Sequence, residues 1–161
     1  MPFTIEVNDE GQSHQVDRAR LKKAVRHVLQ EAGIQSAEIS IAVVSDERMQ
    51  ELNRQYLQHD YPTDVLSFLL DSDPEQQSLE GQLIVSADYA AREALRYGWS
   101  AGDELLLYVL HGCLHLVGQD DTTPAAKQAM RQAESHHLAQ FGLTHRYDDD
   151  QDGRSRRPDG T

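Results

Sequence analysis

Two histidines four residues apart, His111 and His115, followed by a carboxylate at Asp121, are the side chains of this sequence best placed to do chemistry. Residues four apart on a helix stand one above the other on the same face, so both imidazoles can reach one metal ion. Gly118 lets that helix end sharply, and Asp121 can then swing back as a third ligand. Two imidazoles and a carboxylate suit zinc, one ion per chain, and three protein ligands leave a fourth position open to water. Asp120 is an adjacent competitor for the third place. Cys113 lies between the histidines at an offset that turns it away from them, and reads as a small packing residue.

Three other readings use the same residues. Both histidines could be hydrogen-bonded core groups with no metal at all. The donor set also describes the facial triad of non-haem iron oxygenases, although those sites draw on barrel strands and this chain is too helical for a barrel. Lastly, the zinc could be structural, but structural zinc is normally closed by four protein ligands and the spacing supplies three.

The pattern His-x3-His-x2-Gly-x2-ligand is similar to that of the metzincin peptidases at all but two positions. Gly112 stands where such a peptidase carries its general-base glutamate, and Asp121 where it carries a third histidine. The metal geometry is kept while the group that drives peptide hydrolysis is missing, and no protein general base can be named.

Something must hold the two imidazoles. Leu105 to Val117 is apolar nearly all round, which predicts a core helix, with Asp103 as its cap. Anything polar on such a helix is there against a desolvation cost. Upstream, Phe3, Ile5 and Val7 alternate as a strand ending in a turn at Asn8 to Gly11. Asp17 caps a helix carrying Leu21, Val25, Val28 and Leu29, stopped at Gly33. Ile39, Ile41 and Val43 form a second strand, and Ser45 or Asp46 caps a helix bearing Met49, Leu52 and Tyr56. Val65 to Leu70 reads as a buried strand, Asp71 to Glu80 as an acidic surface loop, and Gln82 to Ser86 as a fourth strand. Ala87 to Tyr97 is helical up to Gly98. Thr122 or Thr123, with Pro124 behind it, starts a last helix through Met130 and Leu138 toward Gly142.

This order predicts an α+β fold: a single domain over 1–145, a small mixed four-stranded sheet packed with about five helices, and the zinc site on a core helix. The Asp-, Arg- and Gly-rich residues 146–161 have almost nothing to bury and read as a disordered tail.

Composition narrows the function. The chain has 161 residues, 39% of them hydrophobic, enough for one core. Its single cysteine and the lack of a cationic, apolar leader suit a reducing, cytoplasmic location. The longest apolar run, Leu105 to Leu110, is far short of the roughly 20 residues of a membrane span. A net charge of -12 argues against an indiscriminate nucleic-acid binder. Arg18, Arg20, Lys22, Lys23 and Arg26 nevertheless crowd one predicted helix, as a solvated face or an RNA platform.

Residues 111 to 120 resemble the His-Gly-x-Leu-His-Leu-x-Gly-x-Asp motif of the YbeY family. Leu52-Asn53, Tyr56 and Pro62-Thr63-Asp64-Val65-Leu66-Ser67-Phe68 resemble that family's upstream block, and looser similarity runs on to Met130 and Glu134. The resemblance implies a metal-dependent, single-strand-specific endoribonuclease that matures the 3' end of small-subunit ribosomal RNA and serves ribosome quality control. It implies as partners ribosomal RNA, the small ribosomal subunit, and ribosomal-protein or GTPase contacts. The alternatives are a non-catalytic ribosome-assembly factor with a structural metal, or a metal-dependent hydrolase of another substrate.

Three positions depart from the family pattern. Asp121 stands where a histidine is usual. Leu57 replaces an arginine that would hold phosphate, and Arg54, three residues earlier and on roughly the same face, is a candidate substitute. Gly81-Gln82-Leu83 replaces a Gly-Asp-Ile-like stretch. Thr63, Asp64 and Ser67 are candidates for lining the cleft or orienting a ligand histidine, whereas Val65, Leu66 and Phe68 need only be core.

Overall fold

Strict alternation builds the sheet. The computed structural model of the chain describes residues 2–11, 15–57 and 65–145, so the expected tail lies outside the described residues. In β1 (Phe3–Asp9) and the first half of β2 (Ser36–Val44), one set of side chains is buried under the helices and the other faces away, while the end of β2 is buried on both faces. β3 (Val65–Asp73) and β4 (Ser78–Ser86) complete a mixed sheet of order β1-β2-β4-β3. Its β1/β2 and β2/β4 pairs are parallel and its β3/β4 pair antiparallel.

The helices follow in chain order. α1 (Arg18–Glu31) lies between β1 and β2, and α2 (Asp46–Leu52) continues into a π-helical turn at Asn53–Leu57 before β3. After β4 come α3 (Ala87–Tyr97), α4 (Ala101–Leu116) and α5 (Pro124–Ala139). The expected single α+β domain with four strands and five helices is what the described residues form.

Two apolar layers hold it together. Ile5, Val7, Ile39, Ile41, Leu83 and Val85 meet α1 and the nearly all-buried α4. On the opposite face, Ala42, Val44, Leu66 and Ile84 pack with Met49 and Leu52 of α2. Because α4 touches α1, α3, α5, β3 and β4, its position is set from all sides.

Two expectations are corrected. Asp71 to Glu80 is not a surface loop: β3 runs on to Asp73 and β4 starts at Ser78, in register Asp71 with Glu80 and Asp73 with Ser78. Backbone bonding carries the hairpin through mostly polar, exposed residues in which Leu79 alone is a buried apolar side chain, so no apolar alternation marks it. A bulge between Leu69 and Asp71 resets the faces. At its tip Asp73 accepts from the backbone N–H groups of Glu75 and Gln76. The cap of α4 is Ser100, whose hydroxyl accepts from the N–H of Asp103. Asp103 instead sits in the first turn, favourable for a carboxylate, and receives Arg20 at 2.8 Å.

That ion pair bears on the basic helix. Arg18 donates to the Val7 carbonyl, and Arg20 and Lys23 both lie over the Phe141 ring. Three of the five cations therefore brace α1 against its neighbours.

At the α1–α5 contact, His27 Nδ1 and His137 Nδ1 lie 2.6 Å apart, with Glu31 bonding His136 alongside. Burial, then the neighbouring His27 and His136, push the His137 pKa down to about 4, with Glu31 opposing. A histidine depressed on folding stabilises fully above its unfolded value and loses that stability as pH falls toward the folded one. Here the window runs from 6.5 down to about 4. Allowing for solvent screening, the effect is on the order of 1–2 kcal/mol, or about 5 °C in melting temperature. Thermal melts from pH 7 to 4.5 should show a smaller acid loss in His137→Gln than in the wild type; parallel curves would refute it.

Candidate metal centre

The site forms where α4 ends. His111 and His115, one turn apart, bring their Nε2 atoms to 3.0 Å of each other. The helix stops at Leu116, and Gly118 takes φ +108°, a left-handed value that a side chain would oppose. The Gln119 N–H bonds back to the Leu114 carbonyl, and the reversed chain lays Asp121 over the histidines. Asp121 Oδ2 lies 3.5 Å from His111 Nε2 and 3.8 Å from His115 Nε2.

These three residues form a group that can hold one metal ion. A tetrahedral ion with ligand bonds of about 2.0–2.1 Å spaces its donors about 3.3 Å apart, and the three separations bracket that value. Asp120 is not part of the group. Its Oδ1 accepts from the N–H and hydroxyl of Thr122, a local turn that leads into the Thr123 cap of α5. One oxygen of the adjacent competitor is thereby engaged in the loop.

The three ligand side chains are 20–29% exposed, so the cluster is open on one side. Burial, and then His111, lower the pKa of His115, which keeps its imidazole neutral and able to ligate. Cys113 is fully buried, and burial pushes its thiol up to about 12. It is a packing group, as its offset predicted.

Two glycines seat α4 on the sheet. A Cβ on Gly112 would lie 2.9 Å from Val65, Ser67 and Leu83 side-chain atoms, and one on Gly81 would lie 2.8 Å from Leu116. Gly112 is thus a point of close approach between α4 and strands β3 and β4, with no room for a peptidase glutamate. Ser67 donates from Oγ to the Gly112 carbonyl at 3.2 Å, holding the helix backbone beside His111.

Of the other candidates, Arg54 is exposed on the π-helical turn that continues α2, and α2 packs on the sheet face opposite α4. Thr63 and Asp64 lie outside the described residues.

Sequence reasoning overlooked Glu134 and His145. Glu134, on α5, has Oε2 2.5 Å from His111 Nδ1 and Oε1 2.6 Å from His145 Nε2. Burial alone would raise its pKa, but the bonds from His111 and His145 prevail and hold it at about 2. The available signal was a glutamate four residues after the buried Met130, on the apolar face of a helix otherwise polar.

We expect Asp121→Ala to reduce bound metal strongly and Asp120→Ala to spare it, read by elemental analysis of purified protein. Equal metal in Asp121→Ala and wild type would remove Asp121 from the ligand set.

The helix-borne group of two histidines and a carboxylate, on a mixed α+β sheet, marks this protein as a candidate metalloprotein of hydrolytic type. Residues 6–142 match the family model described as Endoribonuclease YbeY. A Salinibacter ruber protein named Endoribonuclease YbeY is 34% identical over 143 residues, covering 85% of this chain and 91% of that one. Its Bacillus licheniformis namesake is 33% identical over 155 residues, covering 89% and 98%. The chain belongs to the YbeY endoribonuclease family. A Thermotoga maritima protein solved in solution shares the fold, with a TM-score of 0.59 at 23% identity over 95% of this chain and 100% of that one. No helix among the described residues is long and apolar enough to cross a membrane.

Proposed function

We propose that the chain is a zinc-dependent endoribonuclease that cuts single-stranded ribosomal RNA, maturing the small-subunit 3' end and serving ribosome quality control in the cytoplasm. The observation that carries this reading is the open, three-ligand cluster of His111, His115 and Asp121 in a member of an endoribonuclease family. A divalent ion bound by three protein ligands supplies Lewis-acid polarisation of a phosphoryl oxygen and lowers the pKa of water toward about 7.

The chain's own residues do the rest. His111 and His115 offer neutral Nε2 donors, and Asp121 adds one negative charge, so the site keeps net attraction for a phosphate once loaded. Gly112, with no side chain, leaves no peptidase base. Arg54 is proposed to hold RNA phosphate in place of the arginine that Leu57 replaces, and Thr63, Asp64 and Ser67 to line the cleft or support the ligand histidines.

Three basic residues of α1 are engaged within the fold, and the chain carries a net charge of -12. Binding to naked RNA is then weak and salt-sensitive. The small subunit, with ribosomal-protein or GTPase partners, presents the strand instead. Zinc-loaded protein is to be incubated with naked single-stranded RNA, with small subunits and with peptides. Cleavage of RNA alone, abolished by chelation, is expected. Cutting of neither RNA form would leave a ribosome-assembly factor with a structural metal.

A further inference from the structure

We infer that Glu134, clamped by His145, is a positioning residue that holds His111 with Nδ1 protonated and the Nε2 lone pair turned toward His115 and Asp121. The inference rests on the metal-centre reading of that cluster and does not depend on the substrate.

The geometry leaves little choice of protons. Glu134 is 5% exposed and His145 is fully buried. A buried carboxylate is costly unless its oxygens are met by donors. Each oxygen here has one: His111 at 2.5 Å and His145 at 2.6 Å. Since the carboxylate can only accept, His111 donates from Nδ1 and His145 from Nε2. In the neutral ring Nε2 then carries no proton, and that is the atom within 3.0 Å of His115 Nε2 and 3.5 Å of Asp121.

A free neutral imidazole exchanges between two tautomers and rotates about its side-chain bonds. The bond to Glu134 selects one tautomer and one ring plane in advance, so a ligand need not be ordered when the ion arrives. The second bond, from His145, does for Glu134 what Glu134 does for His111. It also reaches across chain segments. His111 belongs to α4, Glu134 to α5, and His145 to the segment beyond Gly142 that folds back after Leu143 bonds the Leu138 carbonyl. The centre is therefore built by three segments, of which the ligand set alone shows one helix and its loop.

A structural ion pair that only tied α5 to α4 would have no reason to choose a His111 tautomer. The test uses the metal-free full chain, with zinc titrated against a chromophoric chelator and His111 tautomers read by long-range proton–nitrogen NMR correlations. Glu134→Met, which fills the same space without an acceptor, should weaken zinc binding about 10- to 100-fold. It should also convert a single Nδ1–H form of His111 into a tautomer mixture. Glu134→Gln, which keeps one acceptor, should lie between it and the wild type.

Unchanged zinc affinity in Glu134→Met would overturn the inference. So would lost affinity with the His111 tautomer unchanged, which would make Glu134 a nearby charge only. Should Glu134→Met fail to fold, His145 decides: weaker zinc binding in His145→Ala, recovered in His145→Gln, supports the clamp, and wild-type affinity in His145→Ala overturns it. Neither readout involves RNA. A wild-type protein that binds zinc and shows the single tautomer but cuts no RNA would end the proposed function and leave the clamp standing.

Discussion

His115→Ala should leave a folded protein that has lost its metal and at least about 100-fold of its RNA cleavage. Its imidazole supplies one of three donors and touches no buried carboxylate, so its loss empties the centre at modest cost to the fold. Metal polarisation of a phosphoryl group contributes several kcal/mol to the transition state, and each 1.4 kcal/mol, roughly, is tenfold in rate. His111→Ala should be as inactive and less stable by about 1–3 kcal/mol, because one oxygen of Glu134 then loses its donor in a buried setting. Gel assays on end-labelled RNA, with elemental analysis and melts on the same preparations, separate the two effects. Cleavage by His115→Ala within threefold of wild type would mean that this cluster is not the centre of the reaction.

Gly112→Ala should destabilise the protein although alanine is the better helix former. The propensity gain is about 1 kcal/mol. Against it stand three contacts at 2.9 Å, with Val65, Ser67 and Leu83. Ser67 could turn away, giving up its bond to the Gly112 carbonyl, but Leu83 is fully buried and has nowhere to move. Overpacking of this kind costs about 1–3 kcal/mol, and α4 is wedged between the sheet and three helices, so relief by sliding is small. A net loss of up to roughly 2 kcal/mol, on the order of 5 °C in melting temperature, is expected. Gly112→Glu adds a buried, unpaired carboxylate and should not fold. A wild-type melt for Gly112→Ala would show that α4 has room to rise off the strands.

Several parts of this molecule were legible as sequence because their causes are local. Alternation in Phe3-Ile5-Val7 and Ile39-Ile41-Val43 announced strands, and Ala87 to Tyr97 with Gly98 behind it is the observed α3. The pairing of His111 with His115 needs only the pitch of a helix. Asp121 followed from Gly118, since a helix that stops there can return a carboxylate within a few residues.

Other parts answer to neighbours far along the chain. The hairpin from Asp71 to Glu80 exists because two backbones pair there, and a single buried apolar residue, Leu79, among polar side chains carries no period to read. Gly112 looked like a missing catalytic group. Only the approach of β3 and β4 showed that it is a packing requirement.

By itself, then, the sequence determined the α+β order of elements, the core helix, and the three residues able to share a metal, all through helix pitch, strand pleat and turn chemistry. Tertiary structure alone decided which way those residues are held. Glu134 lies 23 residues from His111, and His145 lies 11 beyond Glu134. No periodicity spans such distances. The packing of α5 on α4 and the return of the chain after Gly142 put the carboxylate against one ring nitrogen of His111, leaving the other turned toward the cluster.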